Sequence, residues 1–275
     1  MKYISTLTIA GSDCSGGAGI QADLKTMSAL GTFATSVITS VTAQNTCGVT
    51  AIHVIPNDVI AAQIKAVMED IYPMAIKVGM LNDSATMQTV ATTLKQYKVP
   101  NLVIDPVMVS TSGHRLMEEE AVATFIQELL PMASILTPNL PEAEILANMK
   151  IENVEHVFEA AQRIIDKGCK SVLIKGGHAS GNHKTDYLFS QRKDQSVEVS
   201  SFSSDTVDTK NTHGTGCTLS SAIAAFLAQG LSVNEAVKAA KEYVTNALKG
   251  GADVEIGHGH GPVNHFFNPE KLIKQ

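Results

Sequence analysis

The chain has 275 residues, 44% of them hydrophobic, and a formal net charge of -6. That is enough for one large α/β domain or two small ones with a substantial core. The acidic balance without a basic run argues against nucleic-acid binding, no apolar run approaches membrane-spanning length, and the scattered cysteines Cys14, Cys47, Cys169 and Cys217 lack zinc or disulfide spacing.

Met1-Lys2-Tyr3-Ile4-Ser5 runs straight into a strand-like segment with no signal-peptide apolar core, so a cytoplasmic protein with reduced thiols is expected. The first apolar β-branched run is Leu7-Thr8-Ile9-Ala10, followed by a loop from Gly11 through Gly16, Gly17 and Gly19 to Asp23. Gly11 to Gly16 has P-loop spacing, but Gly17 stands where the phosphate-binding lysine is needed. Gly17-Ala18-Gly19-Ile20-Gln21-Ala22 matches a dinucleotide fingerprint formally, yet it begins well after the strand and lacks an acid about 20 positions on. Four glycines beside Asp13 and Asp23 favour a substrate loop over a merely tight turn.

Ser36 to Val41 is the second strand, with the polar cluster Thr42-Ala43-Gln44-Asn45 expected as the loop after it. Asp58 to Ile71 carries Val59, Ile60, Ile64, Val67, Met68 and Ile71 at helical spacing. Further strands are expected at Ile76-Lys77-Val78-Gly79, Leu102-Val103-Ile104, Ser134-Ile135-Leu136 and Val172-Leu173-Ile174, with helices over Glu119 to Leu130 and Val154 to Asp166. Polar clusters follow these strands too: Gly79-Met80, Asp105-Pro106, Thr137-Pro138-Asn139 and Lys175-Gly176-Gly177-His178. In parallel sheets the ligand crevice lies beyond the carboxyl ends of the strands, so these segments converge on one site. Met80 is placed to press on a flat ring. Asp105 is either a solvated cap or, with Glu142, a holder of Mg²⁺ through water. Lys175 is placed to reach a phosphate.

Lys184 to Thr209 alternates polar and apolar residues around Asp194-Gln195 and is expected as an antiparallel edge hairpin. Asn211-Thr212-His213-Gly214-Thr215-Gly216-Cys217-Thr218 then sets a glycine-rich turn against an apolar helix, Leu219 to Leu227. Backbone N–H groups at a helix start lack intrahelical partners and sit at the positive end of the dipole, so this has the layout of an anion hole for phosphate oxygens or a developing oxyanion. Cys217 at such a position is expected to have a lowered pKa and to serve as base or nucleophile, or as a small core residue. His213 has an acid–base or a packing role. Ser232-Val233-Asn234-Glu235 is a capping box for a last helix to about Leu248. His258, His260 and His265 lack a carboxylate or cysteine to complete a metal site. No linker or repeat divides the chain, so a single domain over 1–275 is expected: three-layer α/β/α with a mostly parallel central sheet.

Taken together, Gly11 to Asp23, Thr42 to Asn45, Asp105-Pro106-Val107-Met108, Thr137-Pro138-Asn139 and Asn211 to Thr218 resemble the bacterial hydroxymethylpyrimidine/phosphomethylpyrimidine kinases of the ribokinase-like superfamily. The resemblance runs from Thr8 to His265. It implies ATP-dependent phosphorylation of 4-amino-5-hydroxymethyl-2-methylpyrimidine, then of its monophosphate, in thiamine biosynthesis. It implies that Gln44 reads the aminopyrimidine edge while Gly11, Asp23, Met80 and Val107 shape the pocket. Asp105 and Glu142 would organise Mg²⁺, Asn139 and Lys175 would face the ATP triphosphate, and Gly214, Thr215, Gly216 and Cys217 would cradle the transferring phosphoryl group. Ribokinase-like sugar kinases commonly place an aspartate where Cys217 stands; a loose phosphoryl-transfer transition state makes a strong base less critical. Members of this kind are often homodimers. A pyridoxine/pyridoxal kinase on the same scaffold is the nearest alternative, and a dinucleotide-dependent oxidoreductase or a non-catalytic pyrimidine binder are more distant ones.

Overall fold

A computed structural model describes residues 1–81, 83–108, 117, 119–176 and 183–275. Gly177 and His178, from the polar cluster that follows the last predicted parallel strand, lie outside the described residues. In chain order the elements are β1 (Ser5–Asp13), α1 (Gly19–Ala29), β2 (Phe33–Asn45), β3 (Gly48–Val54), α2 (Asn57–Asp70), β4 (Ala75–Val78), α3 (Ser84–Leu94) and β5 (Leu102–Ile104). They continue with α4 (Glu119–Thr124), β6 (Ile135–Leu136), α5 (Leu140–Ala147), α6 (Val154–Ile165), β7 (Ser171–Ile174), β8 (His183–Gln191), β9 (Val197–Asp205), α7 (Thr215–Ala228) and α8 (Val233–Gly251).

These strands form one sheet in the order β3-β2-β1-β4-β5-β6-β7-β8-β9. The six predicted apolar runs are its parallel strands, and β3, β8 and β9 add antiparallel edges. Alternate residues of each central strand serve two cores. Ile76, Val78, Leu102 and Ile104 pack with Ile60 and Ile64 of α2 and Met87 and Val90 of α3 on one face. Ala75, Val103, Ile135 and Leu173 pack with Met27 of α1, Ile223 of α7 and Val244 of α8 on the other. Burial on both faces is why these runs are continuously apolar, each such side chain contributing about 1.5–3 kcal/mol.

The predicted edge hairpin is present as β8 and β9. Three other expectations change. Thr42 to Asn45 is not a loop: β2 continues through it and turns back as β3, the turn closed by Asn45 Oδ1 accepting the N–H groups of Cys47 (2.8 Å) and Gly48 (3.2 Å). All of β3 is exposed, so no buried face imposes an apolar alternation on it. The helix expected over Glu119 to Leu130 is α-helical only to Thr124 and then widens into a π-turn over Phe125–Leu129. Finally, the helix expected from Leu219 begins at Thr215, which puts the whole glycine-rich turn at its first coil.

Topology locates the crevice. From β1 the chain crosses to β2 on one side and later returns to β4 on the other. The loops leaving β1 and β4 therefore diverge, and the carboxyl ends of these strands open the ligand site.

Candidate active site

The two ends of the chain meet over this crevice. Asp13, at the end of β1, accepts hydrogen bonds from Ser15 N (2.9 Å), Ser15 Oγ (2.7 Å) and Ala18 N (2.8 Å), folding the glycine loop around its carboxylate. His213 Nε2 lies 2.8 Å from the same carboxylate and 3.4 Å from Gln44 Nε2. Burial works against the Asp13 charge, but these donors together hold the carboxyl well below the usual carboxylate range. His213 is thus engaged as a clamp on the Asp13 carboxylate, which favours its structural role. Behind the clamp, Gly214 has φ +78°, and a Cβ there would collide with the Gly17 carbonyl oxygen, so only glycine lets the two turns touch.

Gln44 is aimed by the sheet. A bulge between Ala43 and Gln44 in the β2–β3 pairing breaks the alternation, the usual device for re-aiming a side chain beside a site. Its backbone is held by Cys14, whose thiol donates to Gln44 O (3.0 Å) and accepts from Gln44 N (3.3 Å). Gly11 and Met80 meet at the crevice floor: a Cβ on Gly11 would stand 3.2 Å from the Met80 methyl and 2.7 Å from Ser40 Oγ. Gly11 and Met80 thus adjoin one another at the end of β1, while the Gln44 side chain lies beside Thr42 and His213.

Asp23 does not line the crevice. It is fully buried on α1, where Lys77 Nζ donates to both its oxygens (2.9 and 2.8 Å), Thr8 Oγ1 to one (2.6 Å) and Ser221 Oγ to the other (2.5 Å). The reassignment has a simple cause. A helix that starts at Gly19 points its residue 23 back at the sheet, and only the fold reveals that Lys77, on a central strand, waits there.

The candidate phosphoryl end is the start of α7. Its N-cap, Gly214, has no side-chain capping bond, so the N–H groups of Gly216 and Cys217, which have no acceptor within the helix, remain available for an anion. Thr215 turns back instead, its hydroxyl donating to Thr212 O (2.7 Å). A Cβ on Gly216 would lie 3.4 Å from Asp105 Oδ2 and 3.7 Å from Lys175 Nζ, so its bareness keeps the approach open. Lys175 Nζ donates to Asp105 Oδ1 (3.0 Å). Burial opposes the Lys175 ammonium, but Asp105 and Glu142 beside it raise it above the ordinary lysine value, so it stays charged.

Glu142 accepts from Met108 N (3.0 Å) and Asn139 N (2.8 Å), while Asn139 Oδ1 accepts from Glu142 N (2.9 Å), a capping box at the start of α5. Burial pushes the Glu142 carboxyl up, and Asp105 pushes it further. Between them, Val107 has φ +42°, a backbone conformation that a β-branched residue adopts only under strain and that clusters at ligand sites.

Cys217 differs from the sequence expectation. Burial pushes its thiol up to about 11; Lys77 and the Gly19 backbone N–H lower it, but burial together with Asp23 and Asp105 outweighs them. The thiol is therefore protonated at neutral pH. His265 is also buried, which holds its imidazole down at about 4, and among the described residues no group of three or more His, Cys, Asp or Glu is arranged to hold a metal by itself. Sequence reasoning missed Lys77 as part of the site. A lysine within an otherwise apolar strand run was the available signal, since such a charge must find a buried partner.

A parallel sheet with a crevice at its switch point, a bare helix N-terminus and a lysine–carboxylate group beside it define a small-molecule phosphotransferase of the ribokinase-like class. Residues 13–264 match the family model described as phosphomethylpyrimidine kinase, and the chain belongs to that family. It is 44% identical over 267 residues to the hydroxymethylpyrimidine/phosphomethylpyrimidine kinase of Escherichia coli K12, covering 97% of this chain and 98% of that protein. It spans 53% of the length of the thiamine biosynthesis bifunctional protein ThiED of Geobacter sulfurreducens, to which it is 45% identical over 98% of its own length. Among solved structures it resembles the phosphomethylpyrimidine kinase of Clostridium difficile 630 (TM-score 0.79, 46% identity, 89% of this chain and 99% of that one). It also resembles a Bacillus subtilis pyridoxal kinase solved as an ADP complex (TM-score 0.86, 36% identity, 96% and 98%). No described helix is long and apolar enough to cross a membrane.

Proposed function

We propose that this chain transfers the γ-phosphoryl group of ATP to the hydroxymethyl oxygen of 4-amino-5-hydroxymethyl-2-methylpyrimidine, and then phosphorylates that monophosphate to the diphosphate. The observation that carries the reading is the approach of the Gln44 amide to His213, four residues before Cys217 in the anion-binding turn. An amide offers a donor and an acceptor, matching a ring edge that presents the complementary pair. Met80, Gly11 and Val107 complete the ring pocket.

Along the reaction coordinate the alcohol oxygen forms a bond to the γ-phosphorus as the bond to the β–γ bridging oxygen breaks. Lys175, Asn139 and the Gly216 and Cys217 N–H groups face the phosphates. Asp105 and Glu142, two carboxylates close enough to perturb one another, are the groups that would hold magnesium, which would supply positive charge against the phosphates. The hydroxyl proton leaves late in a loose transition state, so a protonated thiol that aligns the oxygen is compatible with turnover.

Mass spectrometry of products from ATP plus the aminopyrimidine alcohol tests this, with a diphosphate expected; a monophosphate alone, or faster turnover of pyridoxal, would sink it. The pyridoxal reading is favoured by the higher TM-score of the pyridoxal kinase, but sequence identity is higher to the phosphomethylpyrimidine kinase. We place the enzyme in the cytoplasm, and the uncovered edge strand β3 with Val49, Ile52 and Val54 exposed supports a homodimer. Sedimentation at the monomer mass would end that part.

A further inference from the structure

The β2–β3 hairpin carries Gln44 yet projects beyond the sheet, with every residue of β3 exposed. Core burial therefore does not hold its tip. What touches the tip instead is the segment 257–260, far along the chain after α8. Gly259 N donates to Thr46 Oγ1 (3.0 Å) and His260 N donates to Thr46 O (3.0 Å). Gly257 has φ +69°, and a Cβ on Gly259 would collide with the Thr46 carbonyl oxygen, so the backbones meet with no room for a side chain.

The same segment and the chain on either side of it are tied to the phosphoryl-binding turn. His213 N donates to Gly261 O (3.1 Å), His260 Nδ1 lies 3.2 Å from Lys210 O, and the buried Asn211 donates to Gly251 O and Val254 O (both 2.7 Å). One strap thus bonds both the hairpin tip that carries the amide and the turn that leads to Cys217.

We propose that residues 257–260 are a latch that holds the β2–β3 tip in register with the anion-binding turn, making Thr46 and Gly259 positioning residues for the substrate ring. The inference rests on the assignment of Gln44 to that ring. The two hydrogen bonds to Thr46, at the turn next to the bulge, act with the Cys14 thiol on the Gln44 backbone to fix where the amide points. A displacement of about 1 Å in such a group can cost on the order of 10²-fold in rate.

The test uses the full chain with Gly259→Ala, which drives the backbones apart, and Thr46→Val, which removes only the hydroxyl acceptor. Both are expected to raise KM for the aminopyrimidine alcohol, roughly tenfold for Gly259→Ala, with KM for ATP nearly unchanged. Thr46→Ser, which keeps the oxygen, is expected to restore the wild-type KM. Amide hydrogen exchange over residues 43–50 should quicken by about tenfold in Gly259→Ala, a local opening that a loss of global fold would not confine to the hairpin. Unchanged exchange there overturns the latch. So does faster exchange with an unaltered KM for the alcohol when Gln44→Leu does raise that KM. If Gln44→Leu leaves it unaltered, the ring assignment fails instead, and the exchange result alone decides whether 257–260 holds the hairpin.

Discussion

Replacing Cys217 with alanine lowers kcat by about 10²–10⁴-fold, the range typical of losing a positioned proton-handling group, while KM for the pyrimidine stays within a few-fold. The split follows from geometry: the residues proposed to hold the ring lie on β1, on β2 and after β4, whereas the thiol sits in the first turn of α7. The pH profile separates its two roles. With the thiol held at about 11 by burial, its deprotonated fraction grows about tenfold per pH unit below that value. If the thiolate takes the proton, log kcat of the wild type climbs with unit slope from pH 7 to 9, and Cys217→Ala abolishes the slope. A flat wild-type profile with kcat still lost in the alanine variant assigns the thiol to alignment. An unchanged kcat in Cys217→Ala removes it from the mechanism altogether.

Lys77→Met is expected to destabilise the fold by about 3–5 kcal/mol, because it strands the Asp23 carboxylate in the core. Both side chains are completely buried, and the carboxylate ties together four elements: Asp23 on α1, Lys77 on β4, Thr8 on β1 and Ser221 on α7. Burial works against the lysine charge, yet Asp23 raises it above the ordinary lysine value, so the ion pair persists across the physiological range. Urea unfolding of Lys77→Met, Asp23→Asn and the double variant forms the relevant cycle. The double variant should be more stable than the Lys77→Met single, since removing both charges leaves no uncompensated ion. A Lys77→Met protein with wild-type stability would show that the carboxylate is protonated or hydrated on folding. Because the pair lies beneath Cys217, the folded double variant also reports whether its charge acts on the thiol, through any change in the pH at which the thiol alkylates.

Much of the architecture was legible in residue patterns because parallel strands buried on both faces must be continuously apolar. That constraint marked the six parallel strands, whereas polar–apolar alternation marked the β8–β9 hairpin and Ser-x-x-Glu spacing the capping box at Ser232. The β2–β3 hairpin escaped because an exposed edge has no burial pattern to write into its residues, and Thr42 to Asn45 looks like loop chemistry. The site divides in the same way. Gly214 and Gly216 were readable because close backbone approach demands glycine at a particular place in a motif.

Pairings across the chain were a different matter. The sequence by itself determined the class of fold, the anion-binding turn and the family, since these depend on local patterns that few residue types satisfy. Only the tertiary structure decided that Asp23 serves Lys77 and not the ligand, that His213 clamps Asp13, and that Cys217 is a protonated thiol. Each depends on which distant groups share a buried space, and on desolvation and charge within it, quantities that no stretch of neighbouring residues carries.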